Sequence, residues 1–449
     1  MNSDYFLSIS LCLSLFLLFF FLPLLVFLID MFMFMVFFFF FFFFFFFVNK
    51  FNFMVSLSYS LGCDNVSFMF ICLSFWICLM MVFSMILYCY SYLGKNFLLY
   101  LNFMFFSLLF LFVVSNFFYF FFFFECSLIP VFLIIFGWGY QPERLSAGFF
   151  LILYTMVGSL PFFLSILYLD MIFGNFFFFL NFKINNMYLI FFIIMSFMIK
   201  FPLFGFHLWL PSAHVESPVS GSMILAGVML KLGGYGFFRF LGFMYFYVFY
   251  YGYLFFSLSL FGCLFISCYC LIQSDLKVLV AYSSICHMGM IIMGLFTLSY
   301  WCVLGGLIFM LGHGFISSGL FYFVGLLFNR SGSRSFFVLS GLLSISPSSV
   351  MFLFFFCISN MSCPPTINLF SEILIVLGSL NWSFYSLFFF FFILFFSAIY
   401  SLMIYYFISH GIICDLIKMF SCFYLLEYLV MFFHLFPVFF MILCFDFFI

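Results

Sequence analysis

Apolar residues run along this chain in long stretches, separated by short clusters rich in Asn, Asp, Lys, Arg, Gly and Pro. A membrane-spanning helix needs about 20 mostly apolar residues, and the interruptions divide the sequence into roughly fourteen such stretches. They fall at about 6–29, 31–48, 68–89, 97–115, 117–137, 146–168, 187–209, 217–239, 243–270, 278–298, 301–328, 338–380, 384–407 and 424–445, with a break inside the twelfth. The pattern predicts an all-α polytopic membrane protein folded as one bundle.

Two stretches carry proline beside an ionisable residue. Pro202 follows Lys200 in the seventh, and Pro364 and Pro365 precede Glu372 in the twelfth. Proline inside a helix removes a backbone hydrogen bond, and freed carbonyls at membrane depth are tolerated only where they line a polar or wet cavity. Helices 7 and 12 are therefore expected to be broken. The breaks lie five spans apart, the spacing that two inverted five-helix repeats meeting at an ion path would give. On this reading residues 1–96 hold helices 1–3, 97–240 the first repeat (helices 4–8), 241–408 the second repeat (helices 9–13) and 409–449 helix 14. A proline kink used only for packing is the alternative at either site.

Four ionisable residues fall inside apolar stretches: Glu125, Lys200, Lys231 and Glu372. Each costs about 2.5 to 3.5 kcal/mol at a helix centre, roughly 12 kcal/mol together, which packing does not explain. Lys200 and Lys231 lie about fourteen and fifteen residues into their spans, poorly placed to snorkel to the interface. A buried ammonium beside a carboxylate is a proton switch, because burial favours its neutral form and the carboxylate its charged form. A static ion pair fixing helix register is the competing reading.

Of six histidines, His287 in AYSSICHMG and His313 in LGHGFISSG sit within spans beside Ser and Gly, which leave room for water, and imidazole titrates where a proton relay needs it. The same residues also fit a satisfied polar core. His207 and His214 bracket HLWLPSAH without HExxH or cysteine partners, which argues against a metal site. His410 and His434 are expected near the interfaces, with no role. The pieces GWG, LGGYG and LGG lack the GxxxxGK[ST] pattern of a phosphate loop and read as helix-contact glycines.

Composition agrees with the pattern. Of 449 residues 69% are hydrophobic and 5% charged, and mean hydropathy is +1.43, far from soluble domains. A net charge of -1 gives no case for nucleic acid or an anionic surface as partner; apolar helices and lipids are the expected neighbours. The sixteen cysteines form no CxxC pair and read as small core-facing or lipid-facing residues. The first apolar run is too long for a signal-peptide core and follows no basic or Arg-rich segment, so no cleavage is expected. Phenylalanine supplies 98 residues, eleven of them consecutive from Phe37 to Phe47. That excess points to a T-rich organelle gene or to hydrophobic filler.

Several segments together resemble a known family: ECSLIP (125–130), GWGYQPERLSAG (137–148), KFPLFGFHLWLPSAHVESPVSGSMILAGVMLKLGGYGFFR (200–239), QSDLKVLVAYSSICHMG (273–289) and PPTINLFSEI (364–373). They look like the chain 4 family of mitochondrial NADH:ubiquinone oxidoreductase, respiratory complex I. The resemblance implies an antiporter-like fold of fourteen helices in two inverted repeats, with Glu125 and Lys200 as a coupled pair, Lys231 as central relay, His287 and His313 as intermediates and Glu372 as terminal proton site. It implies no cofactor in this chain, with NADH, FMN, iron–sulfur clusters and ubiquinone held by partner subunits, and as partners the neighbouring antiporter-like chains and accessory subunits of the complex. The chain departs from the family pattern in its short loop NRSGSRS (329–335), in Ser212 where a basic residue is usual, and in its phenylalanine-dominated first hundred residues.

The expected location is the mitochondrial inner membrane. Loops after odd-numbered spans hold Lys95, Arg144, Lys277, Arg330, Arg334 and Lys418, and those after even-numbered spans Lys50, Lys183 and Arg239. This asymmetry puts the odd loops in the matrix and both termini in the intermembrane space. Rival readings are a stand-alone cation/proton antiporter subunit of the same superfamily and a structural membrane subunit with inert charges. A channel is disfavoured, since no filter motif is present.

Overall fold

A computed structural model describes residues 55–58, 61–85, 92–174, 178, 186–412 and 421–443. The expected spans 6–29 and 31–48, the Phe37–Phe47 run, and Lys50, Lys183 and Lys418 lie outside the described residues.

Helices dominate what is described: α1 (Asn65–Ser84), α2 (Tyr92–Val113), α3 (Phe117–Cys126), α4 (Leu128–Trp138), α5 (Arg144–Phe173), α6 (Met187–Lys200), α7 (Trp209–Glu216), α8 (Val219–Ile224), α9 (Leu230–Cys270), α10 (Leu276–Phe296), α11 (Tyr300–Ser331), α12 (Leu342–Ile345), α13 (Pro347–Asn360), α14 (Ile367–Trp382), α15 (Ser386–Ser409) and α16 (Leu425–Phe440). A small antiparallel pair, β1 (Val55–Ser58) and β2 (Leu61–Cys63), precedes α1, and Leu61 also bridges to Val114. Among the described residues eight helical runs are long and apolar enough to cross a membrane.

Polar side chains set the starts. Asp64 and Ser67 form a reciprocal capping box at α1, Asn116 accepts from Phe118 N–H at α3, Asn186 accepts from Tyr188 N–H at α6, and Ser299 accepts from Cys302 N–H at α11. Each cap satisfies a backbone donor that the first helical turn leaves unpaired. Both expected breaks are present. Irregular backbone at 201–208 separates α6 from α7, and 361–366 separates α13 from α14. The stretch expected at 117–137 carries a further turn at Ser127, between α3 and α4.

One boundary takes an unexpected form. Instead of two helices over 217–239 and 243–270, the helical ladder runs unbroken from Val219 to Cys270, through a π-helical turn at Leu225–Met229. It is not straight. The rings of Phe237 and Phe255 both lie 4.8 Å from the ring of Phe296, whereas eighteen residues of straight helix would separate them by about 27 Å. The chain therefore reverses direction inside α9, and two antiparallel limbs result, matching the separate stretches 217–239 and 243–270.

Charged residues mark the two ends of the bundle. At one end Asp64 receives two hydrogen bonds, each 2.5 Å, from the Arg239 guanidinium, which also lies 4.8 Å from the Tyr235 ring. At the other, Asp275 bridges to Ser335, Tyr140 donates to Asn329, and Arg330 pairs with Glu427. Three placements differ from the sequence reading. Lys277 is buried in the first turn of α10, Arg239 lies within α9 in a half-buried ion pair, and His434 is fully buried on α16 beside Tyr322 instead of at an interface. In each case a neighbouring helix end or ring, invisible to a hydropathy scan, supplies the partner.

Candidate functional site

The six candidate residues fall into two groups. Glu125 lies in the last turn of α3 and Lys200 is the last residue of α6, where the Pro202 break ends the helix. The Lys200 ammonium sits 3.5 Å from Glu125 Oε1, donates to the Phe124 carbonyl at 2.8 Å and lies 3.0 Å from the Phe124 ring centroid. Carbonyls at a helix C-terminus carry partial negative charge, so the end of α3 attracts the ammonium as well as the carboxylate does. The Glu125 side chain is 22% exposed and that of Lys200 only 4%, so the carboxylate is the partner with room to move.

The second group starts at the π turn. Widening the helix there by one residue frees a carbonyl from the regular ladder, and the Lys231 ammonium takes it, donating to Ala226 O at 2.5 Å. Its other contact is His313 Nδ1 at 3.0 Å. The rings of His313 and His287 lie 5.4 Å apart, and His287 Nδ1 lies 3.9 Å from Glu372 Oε1. Lys231, His313, His287 and Glu372 thus form a file of buried ionisable groups across α9, α10, α11 and α14, ending just beyond the second helix break.

Close helix contact brings the file together. Gly312, beside His313, accommodates Asn368 of α14, and Gly305 accommodates the backbone of Ser371 and Ile375. Small residues let membrane helices approach to this range. Between the two groups the contact is apolar: Gly233 meets Phe201 and Gly236 meets the Phe197 ring. Among the described residues no hydrogen bond or ion pair joins Glu125 and Lys200 to the file.

Sequence reasoning missed several members. Tyr400 on α15 is fully buried, its hydroxyl 3.3 Å from His287 Nε2; a tyrosine in a phenylalanine-rich helix gives no signal of its own. Lys277 donates to the carbonyls of Ser217 (3.1 Å) and Val215 (3.4 Å), closing the C-terminal end of α7 together with Arg334, which donates to Val215 O at 3.2 Å. His214 is buried and stacked on Phe321 at 4.3 Å, with neither ring nitrogen hydrogen-bonded. No cluster of His, Cys, Asp and Glu fit to hold a metal occurs among the described residues.

Comparison with known proteins places this arrangement. The family model described as NADH:quinone oxidoreductase/Mrp antiporter, TM, matches residues 114–399. NADH-ubiquinone oxidoreductase chain 4 of Ceratitis capitata is 42% identical over 396 residues, 86% of this chain and 87% of that protein. Its Locusta migratoria counterpart is 41% identical over 409 residues, 86% of this chain and 90% of that protein. Among solved structures, a chain of respiratory complex I from Thermus thermophilus with bound NADH superposes with a TM-score of 0.79 at 22% identity, covering 89% of this chain and 87% of its own. A chain of the Mrp complex from Dietzia sp. DQ12-45-1b gives 0.72 at 15% identity, covering 78% and 67%. These two show a shared antiporter-like fold. This chain belongs to the NADH-ubiquinone oxidoreductase chain 4 family of antiporter-like membrane proteins.

Proposed function

We propose that this chain is the proton-translocating core membrane subunit of NADH:ubiquinone oxidoreductase, and that it moves protons for a redox reaction performed in partner subunits. The observation that carries the reading is the buried file from Lys231 through His313 and His287 to Glu372. A static ion pair needs two groups; four, beginning at a π turn and ending at a helix break, suit proton transfer.

In this mechanism quinone chemistry elsewhere in the complex displaces the Glu125 carboxylate from Lys200. The Lys200 ammonium then loses its counter-charge in a low-dielectric site and releases its proton toward Lys231. Lys231 passes a proton to His313 Nδ1, which it already faces, and His287 delivers it to Glu372. The apolar contact of Phe201 with Gly233 separates the two groups in the resting arrangement, so water must enter there for the first transfer.

NADH, FMN, iron–sulfur clusters and ubiquinone belong to the partner subunits in this reading, and neighbouring antiporter-like chains, accessory subunits and lipids cover the exposed apolar helices. The location is the mitochondrial inner membrane, with the end that carries Arg144, Arg330 and Arg334 toward the matrix, both termini in the intermembrane space, and an organelle gene as source. Residues 97–240 and 241–408 form the two inverted repeats, with the boundary in the reversal of α9, and 1–96 and 409–449 flank them. A stand-alone antiporter would use the same bases, but the relatives at about 40% identity are named as oxidoreductase chains.

The test is the assembled complex in sealed vesicles carrying Glu125→Gln, Lys200→Ala or Lys231→Met. Each is expected to lower the protons moved per electron. Full stoichiometry in assembled variants would refute the reading, and a purified chain that never travels with a NADH-oxidising, flavin-containing assembly would return it to the antiporter.

A further inference from the structure

The second helix break concentrates buried polar atoms that lack a protein partner: His287 Nδ1, Asn360 Nδ2, Ser362 Oγ and Asn368 Oδ1. Leaving such an atom unpaired costs about 1 to 3 kcal/mol each. Three beside the His287–Glu372 contact, with His287 Nδ1 itself the fourth, is a concentration that packing alone does not produce, and unsatisfied groups of this kind ask for an explanation.

His287 has two addressable nitrogens. Nε2 faces the Tyr400 hydroxyl at 3.3 Å. Nδ1 lies 3.9 Å from Glu372 Oε1, beyond the roughly 2.7 to 3.2 Å of a hydrogen bond. The Ser359 carbonyl, next to Asn360, takes Asn368 Nδ2 at 3.3 Å, which sets the end of α13 and the break beside the turn of α14 that carries Glu372. Asn360 ends α13 and Ser362 lies within the break, at φ 58, a conformation that costs a non-glycine residue about 1 to 3 kcal/mol.

We propose that Asn360 and Ser362 are positioning residues that hold the last relay step open, taking the hydrogen bonds of His287 and Glu372 between proton transfers. This inference rests on the proposed function. Two exclusive pairings follow. In the transfer pairing the imidazolium of His287 donates Nδ1–H to the Glu372 carboxylate and gives up that proton, leaving neutral imidazole with its Nε2–H on Tyr400 and a carboxylic acid at Glu372. In the open pairing Asn360 serves His287 and Ser362 serves Glu372.

The residue types fit the task. An asparagine amide offers an oxygen to the imidazolium and an N–H to neutral imidazole; a serine hydroxyl donates to a carboxylate and accepts from an acid. Neither carries charge, so neither competes for the proton. Because both sit at the break, a small movement of 361–366 changes both pairings together, and 3.9 Å leaves the transfer pair about 1 Å from closure.

The test uses the assembled complex in sealed vesicles with Asn360→Leu and Ser362→Ala, and Glu372→Gln in parallel. In Asn360→Leu and Ser362→Ala, NADH-driven quinone reduction should stay within twofold of wild type, while the proton gradient formed per electron falls and decays at least threefold faster once NADH is spent. A packing defect would instead lower turnover and assembled complex together and leave protons per electron unchanged; that outcome, or wild-type gradient decay, overturns the proposal. Ser362→Ala removes one atom and carries the test if Asn360→Leu does not assemble. If Glu372→Gln itself leaves stoichiometry unchanged, the proposed function fails; if it lowers stoichiometry and the other two do not, only this inference fails.

Discussion

Gly312→Ala should stop proton movement through this chain while the neighbouring Gly306→Ala does not. A Cβ on Gly312 would lie 2.2 Å from Asn368 Oδ1 and 2.8 Å from Ile367 Cγ2, where ordinary contact begins at 3.4 Å. Asn368 is fully buried and its Nδ2 is engaged by Ser359 O at 3.3 Å, so the side chain has nowhere to swing. Helix α14 must therefore retreat by about 0.6 to 1.2 Å, and such overpacking costs about 1 to 3 kcal/mol. Glu372 lies four residues beyond Asn368 on the same helix face and moves with it, stretching the 3.9 Å gap to His287 toward about 5 Å. Misplacement of a reacting group by 1 Å is worth on the order of a hundredfold in rate. At Gly306 the added Cβ meets only Ile291 Cγ2 at 3.4 Å and Leu295 at 3.8 Å, and alanine gains about 0.5 to 1 kcal/mol of helix stability. Acidification of vesicles by the assembled complex, normalised to NADH oxidised, compares the two. Equal stoichiometry in both variants would refute the argument that α14 places Glu372 through this contact.

Two further outcomes follow from the bundle ends. Asp64→Ala strips the partner from a half-buried guanidinium and should destabilise the chain by about 1 to 3 kcal/mol, read as a lower temperature for loss of this chain from the purified complex. Burial pushes the Asp64 carboxyl up, but Arg239 outweighs it and holds the carboxyl below its usual value; its contribution is thus complete above about pH 4 and lost as pH falls through the depressed value, so the variant should lose the acid sensitivity of that temperature. Lys277→Met leaves the carbonyls of Val215 and Ser217 without their donor, and should reduce the amount of assembled complex while leaving protons per electron unchanged in what does assemble.

Much of this architecture is legible in the sequence because its signals are local. Proline beside Lys200 and before Glu372 marks both breaks, and Asn116 and Asn186 mark helix starts by capping chemistry that acts over two or three residues. The buried charges stand out because nothing but function or pairing offsets their insertion cost. What escaped is non-local. The reversal within α9 falls where the pattern separates 217–239 from 243–270, but the packing of its two limbs shows only in the shared contact of Phe237 and Phe255 with Phe296. Lys277 reads as a loop charge until α7 ends against it. Asn360 and Ser362 look like ordinary polar residues near a break, and their relation to His287 and Glu372 depends on how α10 and α14 meet.

The π turn at Leu225–Met229 makes the position of Lys231 a matter of counting. Deleting any one apolar residue from LAGVM would restore a regular ladder and return Ala226 O to an ordinary backbone partner. Because the π turn absorbs one extra residue, everything beyond it would keep its facing, and Lys231 would still meet His313 but without Ala226 O as its second partner. Hydropathy and all four members of the file would survive such a deletion, yet the first of them would lose the carbonyl that holds its ammonium. A one-residue gap in that segment of a related sequence therefore marks a counterpart of Lys231 held without a freed backbone carbonyl.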